Sequence, residues 1–386
     1  MADIKYYSLD EIKNLHVYGR SPFTQQDNGS ALVLFWTASG FSVESRCGEL
    51  WAQIEADYSV YEPWLSVWIN GCQVSRFMLL PGKNNYCLFR GLSQEKINHF
   101  ALLKETQAMS SDEKHMVLIN RLGVPSSFAE KKSSDEIFLP QKEKKLKIEF
   151  VGDSITTGEG LAGGVNEQDW ISGWMATRDS YALNTAKNLN ADFRILSQSG
   201  WGICCGWDND INCALPPKYE FEAGLLWGER NEKLGAGKKH DFSKWQPDFI
   251  VVNLGTNDWG AFNSPEKNGF KLHLDQEKLP EKIPAQKDSE YLREKIWDFL
   301  GTLRKNNPQA SIVWAYGMCG PELGDYLRRF VEEYARKNDD GKISFLMLPS
   351  MSEETEEEKG SRSHPGPGTH KRACQLLTKK IQELMK

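Results

Sequence analysis

The hydrophobic pattern of this 386-residue chain changes period near residue 140, and a chain that does so cannot fold as one uniform layer. Before that point the apolar residues come in short runs rich in β-branched and aromatic side chains: GSALVLFWTASGFSVESRC, ELWAQIEADYS, PWLSVWINGCQVSRFMLL and NNYCLFRGL. Gly, Asn and Pro punctuate these runs where turns belong. Asn70-Gly71 falls between two apolar runs, as a tight hairpin requires. HFALLKETQAM and HMVLINRLGV continue the pattern, and only residues 8–15 hint at a helical period. Residues 1–140 are therefore expected to form a β-sandwich of jelly-roll type.

The polar stretch SFAEKKSSDEIFLPQKEKK reads as a linker or a last edge strand. Beyond it, apolar runs at 147–152, 193–197, 248–255, 311–317 and 342–348 are strand-sized. Helical patterns at 180–191, 288–307, 323–338 and 369–385 accompany them. Strands alternating with helices imply a parallel sheet with helices on both faces, so 145–386 is expected to be an α/β domain. The stretches 204–246 and 260–287 are too long for plain connectors and are expected to rim a site.

Charge and composition narrow the partners. A net charge of −6 leaves no basic excess to displace counterions, so no nucleic-acid partner is expected. No run of roughly 20 apolar residues is present, so no membrane partner is expected either. The N-terminus MADIKYYSLDEIKNLHVYGR lacks a basic segment followed by an apolar run. The reading is therefore cytoplasmic, or secreted if a leader has been removed. The eight cysteines fall in no metal or redox spacing, so we expect free thiols, a reducing compartment, no metal and no cofactor. GEGLAGG lacks the Lys-Ser/Thr ending of a phosphate-binding loop. The acidic run EETEEEKG reads as a solvated loop. Thirteen tryptophans is a high count: some belong in the core, and those at loop tips would suit stacking on flat apolar faces such as sugar rings.

The chemistry concentrates at FVGDSITTGEG, where Gly152-Asp153-Ser154 follows the first strand of the second half. In open α/β sheets ligands bind beyond the carboxyl ends of the strands, which puts Ser154 at the functional edge. A serine is a weak nucleophile until a base takes its proton and donors hold the oxyanion. Of seven histidines, His364 in GSRSHPGPGTH lies in a loop after the fifth strand, and we assign it as the base. His370 starts the next helix and reads as a surface or capping residue. SQSGWG offers the N–H of Gly200, with Gly202 as the alternative, and NLGTNDWG offers the side-chain amide of Asn257. Asp153 and Asp258 read as acceptors that tie down backbone. Trp259 and Trp201, and with them Trp207, are candidates to line an acyl pocket or stack on a sugar.

These blocks, in this order and spread over about 220 residues, resemble the four sequence blocks of the SGNH (GDSL-type) hydrolases. The resemblance implies a flavodoxin-like sheet and a serine that attacks an ester. It implies an oxyanion hole from the N–H groups of Ser154 and Gly200 with Asn257, and His364 as base. The layout of a β-sandwich followed by a GDSIT-type domain, with VYGR, LFWTASGFSVES and VWINGCQV in the sandwich, resembles carbohydrate esterase family 2. That family removes acetyl groups from xylan, mannan and related sugars, so an acetylated oligosaccharide or polysaccharide is the implied substrate. One position departs from the superfamily: Ser361 stands where an Asp is usual, three residues before the histidine. The third member is then absent or supplied by a backbone carbonyl. Two other functions stay open at this point: a lipid or thioester acyl hydrolase with the same Ser-His chemistry, and a carbohydrate-binding protein without catalysis.

Overall fold

The computed structural model describes residues 3–26, 29–351, 355 and 358–386. The chain divides into two compact units. One holds Met1–Lys144 together with Ile171–Gly173 and Phe221–Lys239; the other holds Lys145–Trp170, Trp174–Glu220 and His240–Lys386.

The first unit is built from two antiparallel sheets. One runs Phe23–Gln26, Gly29–Val33, Met116–Pro125, Glu49–Asp57, Gly82–Arg90, with Ile4–Ser8 also paired to Met116–Pro125. The other runs His16–Tyr18, Gly40–Ser45, Asn98–Lys104, Trp64–Ile69, Cys72–Met78. Period-2 patterning explains the arrangement. Along Glu49–Asp57, Leu50, Ala52, Ile54 and Ala56 are buried while the residues between them are half-buried. They share one core with Phe41, Val43, Leu65, Val67, Phe100 and Leu102 of the opposite sheet, which makes the unit a β-sandwich. The Asn70-Gly71 hairpin joins Trp64–Ile69 to Cys72–Met78, with both turn residues at positive φ (50° and 82°).

The stretch after the sandwich strands is not a free linker, and its strand character is confined to one antiparallel bridge, Leu139 to Glu44. It forms two short helical turns, Ser126–Ala129 and Ser134–Ile137. Ser133 and Glu136 form a capping box, and Phe128, Ile137 and Phe138 are buried in the sandwich core. An S-x-x-E pattern was present in the sequence there, and its apolar residues outweighed the charged ones around them. Residues 221–239, part of the first long insertion, are held within the first unit through backbone carbonyls. Arg20 donates to Phe221 at 2.9 Å and Trp36 to Glu222 at 2.6 Å.

The second unit carries a five-stranded parallel sheet in the order Asp192–Ser197, Lys147–Gly152, Phe249–Asn253, Ser311–Tyr316, Ile343–Met347. All five residues of the central Phe249–Asn253 are buried, as expected of a strand covered on both faces. The chain moves one way from the first strand to the second, then the other way for the remaining three. With right-handed crossovers, that reversal sends helices to opposite faces. Accordingly Tyr181–Asn188 packs on Pro367–Leu384, and Gln286–Asn306 packs on Gly324–Lys337. The reversal also leaves a crevice at the carboxyl ends of the strands on either side of Lys147–Gly152. Among the described residues no helix is long and apolar enough to cross a membrane.

Candidate active site

Register brings the sequence blocks to one place. Gly152 pairs with Ser197 on one side and with Asn253 on the other, so three adjacent strands end level. Ser154, Gly200 and Asn257 each lie two to four residues past those ends. Gly152 has to be glycine, because a Cβ there would sit 2.0 Å from the Thr156 Oγ1 and 2.9 Å from the Asn253 carbonyl. Asp153 then caps a single helical turn, Ser154–Thr157, by accepting from the Ile155 N–H at 3.0 Å. Gly158 ends the turn in the left-handed region. The nucleophile candidate is thus held on a rigid turn and is 6% exposed.

The candidate base comes from a loop far along the sequence. The His364 Nε2 lies 2.9 Å from the Ser154 Oγ. The His364 Nδ1 lies 2.9 Å from the Arg362 carbonyl oxygen. A carbonyl can only accept, so Nδ1 carries the proton and Nε2 is left to accept from the serine hydroxyl. The carbonyl is aimed by an unusual turn in which Arg362 and Ser363 both have positive φ (54° and 55°). Two consecutive non-glycine residues in that region cost about 1 kcal/mol or more each, and the surroundings must hold them there. Hydrogen bonds do so: the Ser361 N–H donates to the Gly160 carbonyl and the Arg362 N–H to the Glu167 carbonyl. Ser361 is 1% exposed and its hydroxyl has no hydrogen-bond partner among the described residues. The Ser361 side chain therefore does not bond the imidazole; the Arg362 backbone carbonyl does. Among the residues of EETEEEKG, Glu353, Glu354, Glu356 and Glu357 lie outside the described residues, while Glu358 pairs with Arg372.

The donor candidates differ in availability. The Gly202 N–H is already bonded to the Cys213 carbonyl at 3.1 Å. The Gly200 N–H has no acceptor among the described residues, and its φ of 79° suits glycine. The Asn257 Nδ2 donates to the Trp201 carbonyl at 2.9 Å and to Asp153 Oδ2 at 3.3 Å. Asp258 is fully buried and accepts from the Ile203 and Cys204 N–H groups, which ties the end of the second strand to that of the third. Burial pushes the Asp153 carboxyl up to about 7, against the Ile155 hydrogen bond. Burial likewise pushes Asp258 up to about 6, against the Ile203 and Cys204 hydrogen bonds.

The tryptophans separate. Trp201 is buried at 7% exposure and contributes its carbonyl rather than an open face. Trp259 is half-buried, its ring 6.3 Å from that of Phe262. Trp207 is 58% exposed and lies against Gly200, where an added Cβ would meet its ring at 3.3 Å. It is the tryptophan of the three that offers a face beside the donor. Sequence reasoning missed Glu159 and Arg362 altogether. Glu159 is 5% exposed and accepts from the Arg362 guanidinium at 3.1 Å, and nothing in either short block marks that pairing.

His370 is buried rather than at the surface. Its Nδ1 accepts from the Tyr181 N–H at 3.1 Å and so caps Tyr181–Asn188 from a different helix. Burial first, then the charge of His364, push its pKa down from 6.5 to about 3. A depressed base makes a contribution that is complete above pH 6.5 and shrinks as pH falls toward 3. Replacing it by Gln should flatten the response. Between pH 7 and pH 5 the wild type should lose about 1–2 kcal/mol more unfolding free energy than His370→Gln, by urea titration. Parallel losses in the two proteins would contradict this.

The chain matches the GDSL-like Lipase/Acylhydrolase family over residues 150–372. Among solved structures it is similar to an acetyl xylan esterase (Est2A) from the rumen bacterium Butyrivibrio proteoclasticus. The two are 37% identical with a TM-score of 0.90, and the likeness covers 99% of this chain and 98% of that one. Among curated proteins it is similar to the cellulase/esterase CelE of Acetivibrio thermocellus, 26% identical over 329 residues, 83% of this chain and 34% of that protein. It is also similar to an acetylxylan esterase / glucomannan deacetylase of Cellvibrio japonicus, 28% identical over 248 residues, 64% of this chain and 58% of that protein. The match thus spans less than two thirds of the length of either curated relative. A serine turn, a histidine loop and two donor candidates converge at the edge of the parallel sheet, inside the span that the family match covers, and the chain belongs to the GDSL-like Lipase/Acylhydrolase family.

Proposed function

We propose that the protein is a serine esterase that removes O-acetyl groups from carbohydrate. The observation that carries this reading is the 2.9 Å contact between Ser154 Oγ and His364 Nε2, with Nδ1 committed to a carbonyl. The Ser154 Oγ attacks the acetyl carbonyl while its proton passes to Nε2. The charge that develops on the carbonyl oxygen falls to the Ser154 and Gly200 N–H groups and to Asn257. Asn257 can release its longer, 3.3 Å bond to Asp153 for this purpose. One such donor is worth about 10²–10³ in rate. His364 then gives the proton to the departing sugar oxygen, leaving an acetyl group on Ser154. Water, deprotonated by His364, releases acetate and restores the serine.

Acetylated carbohydrate as the substrate class is supported by the named activities of the xylan and glucomannan esterases to which the chain is similar. Trp207, exposed beside Gly200, offers the flat apolar face that a sugar ring uses. The test is acetate release from a panel of acetylated xylo- and manno-oligosaccharides, followed by mass spectrometry, with p-nitrophenyl acetate and octanoate alongside. We expect release from at least one acetylated oligosaccharide and a preference for acetate over octanoate. A preference for octanoate would point instead to a lipid or thioester hydrolase. Glycan binding without any ester cleavage would point to a binding protein.

A further inference from the structure

The family pattern places an acid three residues before the histidine, and here that position is a buried serine whose hydroxyl has no hydrogen-bond partner among the described residues. A carboxylate is nonetheless present. Glu159 lies five residues after Ser154, and its N–H donates to the Ser154 carbonyl at 3.0 Å, so it belongs to the nucleophile's own turn. Its side chain is 6% exposed. One oxygen, Oε1, accepts from the Arg362 guanidinium at 3.1 Å and stands 3.9 Å from the His364 Nε2. The other, Oε2, is buried without a hydrogen-bond partner among the described residues.

Two consequences follow from this placement. Arg362 is the residue whose carbonyl fixes the His364 tautomer, and it sits in the left-handed region. An ion pair on its side chain holds that conformation from outside the loop. The carboxylate also faces the imidazole on the side where positive charge appears once the Ser154 proton moves to Nε2. Two unit charges within about 4 Å in a partly buried site interact far more strongly than they would in water. A buried carboxylate with one donor is under-compensated in the resting enzyme, and a transient imidazolium 3.9 Å from Oε1 adds a second positive partner.

We propose that Glu159 is the positioning residue that takes over the work of the missing acid. It does so from the nucleophile's turn rather than from the histidine's loop, fixing Arg362 and offsetting the imidazolium. The proposal rests on the Ser-His reading above. No group is transferred to Glu159: the proton that Ser154 Oγ gives to His364 Nε2 goes on to the departing oxygen.

Gln at 159 keeps the shape and can still accept from Arg362, but it removes the charge. Asp at 159 keeps the charge on a shorter arm. On p-nitrophenyl acetate, Glu159→Gln should lower kcat about 30-fold with KM within about twofold. Glu159→Asp should recover part of the loss. Arg362→Met should lower kcat about tenfold, and the Glu159→Gln, Arg362→Met pair should fall short of the product of the two losses, because both act on one turn. Circular dichroism and melting temperature report whether each variant folds. Folded Glu159→Gln with kcat within twofold of wild type overturns the proposal. If that variant does not fold, Arg362→Met decides: its kcat should fall without a change in KM, and an unchanged kcat overturns the proposal. Ser154→Ala, run in parallel, separates this failure from failure of the underlying reading. Activity surviving in Ser154→Ala removes the basis of both.

Discussion

Ser154→Ala is expected to lower kcat/KM for acetyl esters by about 10⁴-fold or more while the melting temperature stays close to that of the wild type. The size of the loss follows from covalent catalysis. Without Oγ no acetyl-enzyme can form, and the residual rate comes only from donors and binding. The stability expectation follows from what the hydroxyl touches. Its recorded partner is His364 Nε2, and that nitrogen keeps its orientation through the Arg362 carbonyl. The turn itself is held by the Asp153 cap and by Gly158, which the substitution leaves alone. Initial rates on p-nitrophenyl acetate and a thermal melt check both halves. A folded variant that retains a tenth of the activity would remove Ser154 from the mechanism.

His364→Ala is expected to cost nearly as much, about 10³–10⁴-fold in kcat, because serine and base work as one unit. The double variant with Ser154→Ala should be no slower than Ser154→Ala alone. If the two losses multiplied, the residues would be acting on separate steps, and the 2.9 Å contact would be incidental. Folding is again expected to survive. The His364 N–H and carbonyl, which bond Ser361 and Gly360, are backbone groups that alanine retains.

Much of this architecture is legible in the residues, for specific reasons. Strands such as Glu49–Asp57 and Phe249–Asn253 announce their type by period: alternation in the first, an unbroken apolar run in the second. Ser154, Gly200 and Asn257 could be grouped because strand ends in a parallel sheet share an edge, and the register of Gly152 with Ser197 and Asn253 places them there. What orients His364 was legible only as two alternatives, no partner or a backbone carbonyl; that the carbonyl belongs to Arg362 was not. A backbone carbonyl leaves no letter in a sequence, and the left-handed pair Arg362-Ser363 is not a pair that composition favours. Trp201 and Trp207 could not be told apart before burial was known. They are six residues apart in one loop, yet one is interior and the other open. The helical turns at 126–137 were hidden for a different reason. Lysines and serines dominate the stretch, while Phe128, Ile137 and Phe138 supply the burial.

The central claim is that Ser154 becomes acetylated during turnover. The most direct measurement is rapid acid quenching of the enzyme with excess acetyl ester, followed by proteolysis and mass spectrometry. We predict the mass gain of one acetyl group on the peptide carrying Ser154, located at that residue by fragmentation and absent from Ser154→Ala. Turnover with no acetyl group on that peptide, or with the mark on another residue, would contradict the account.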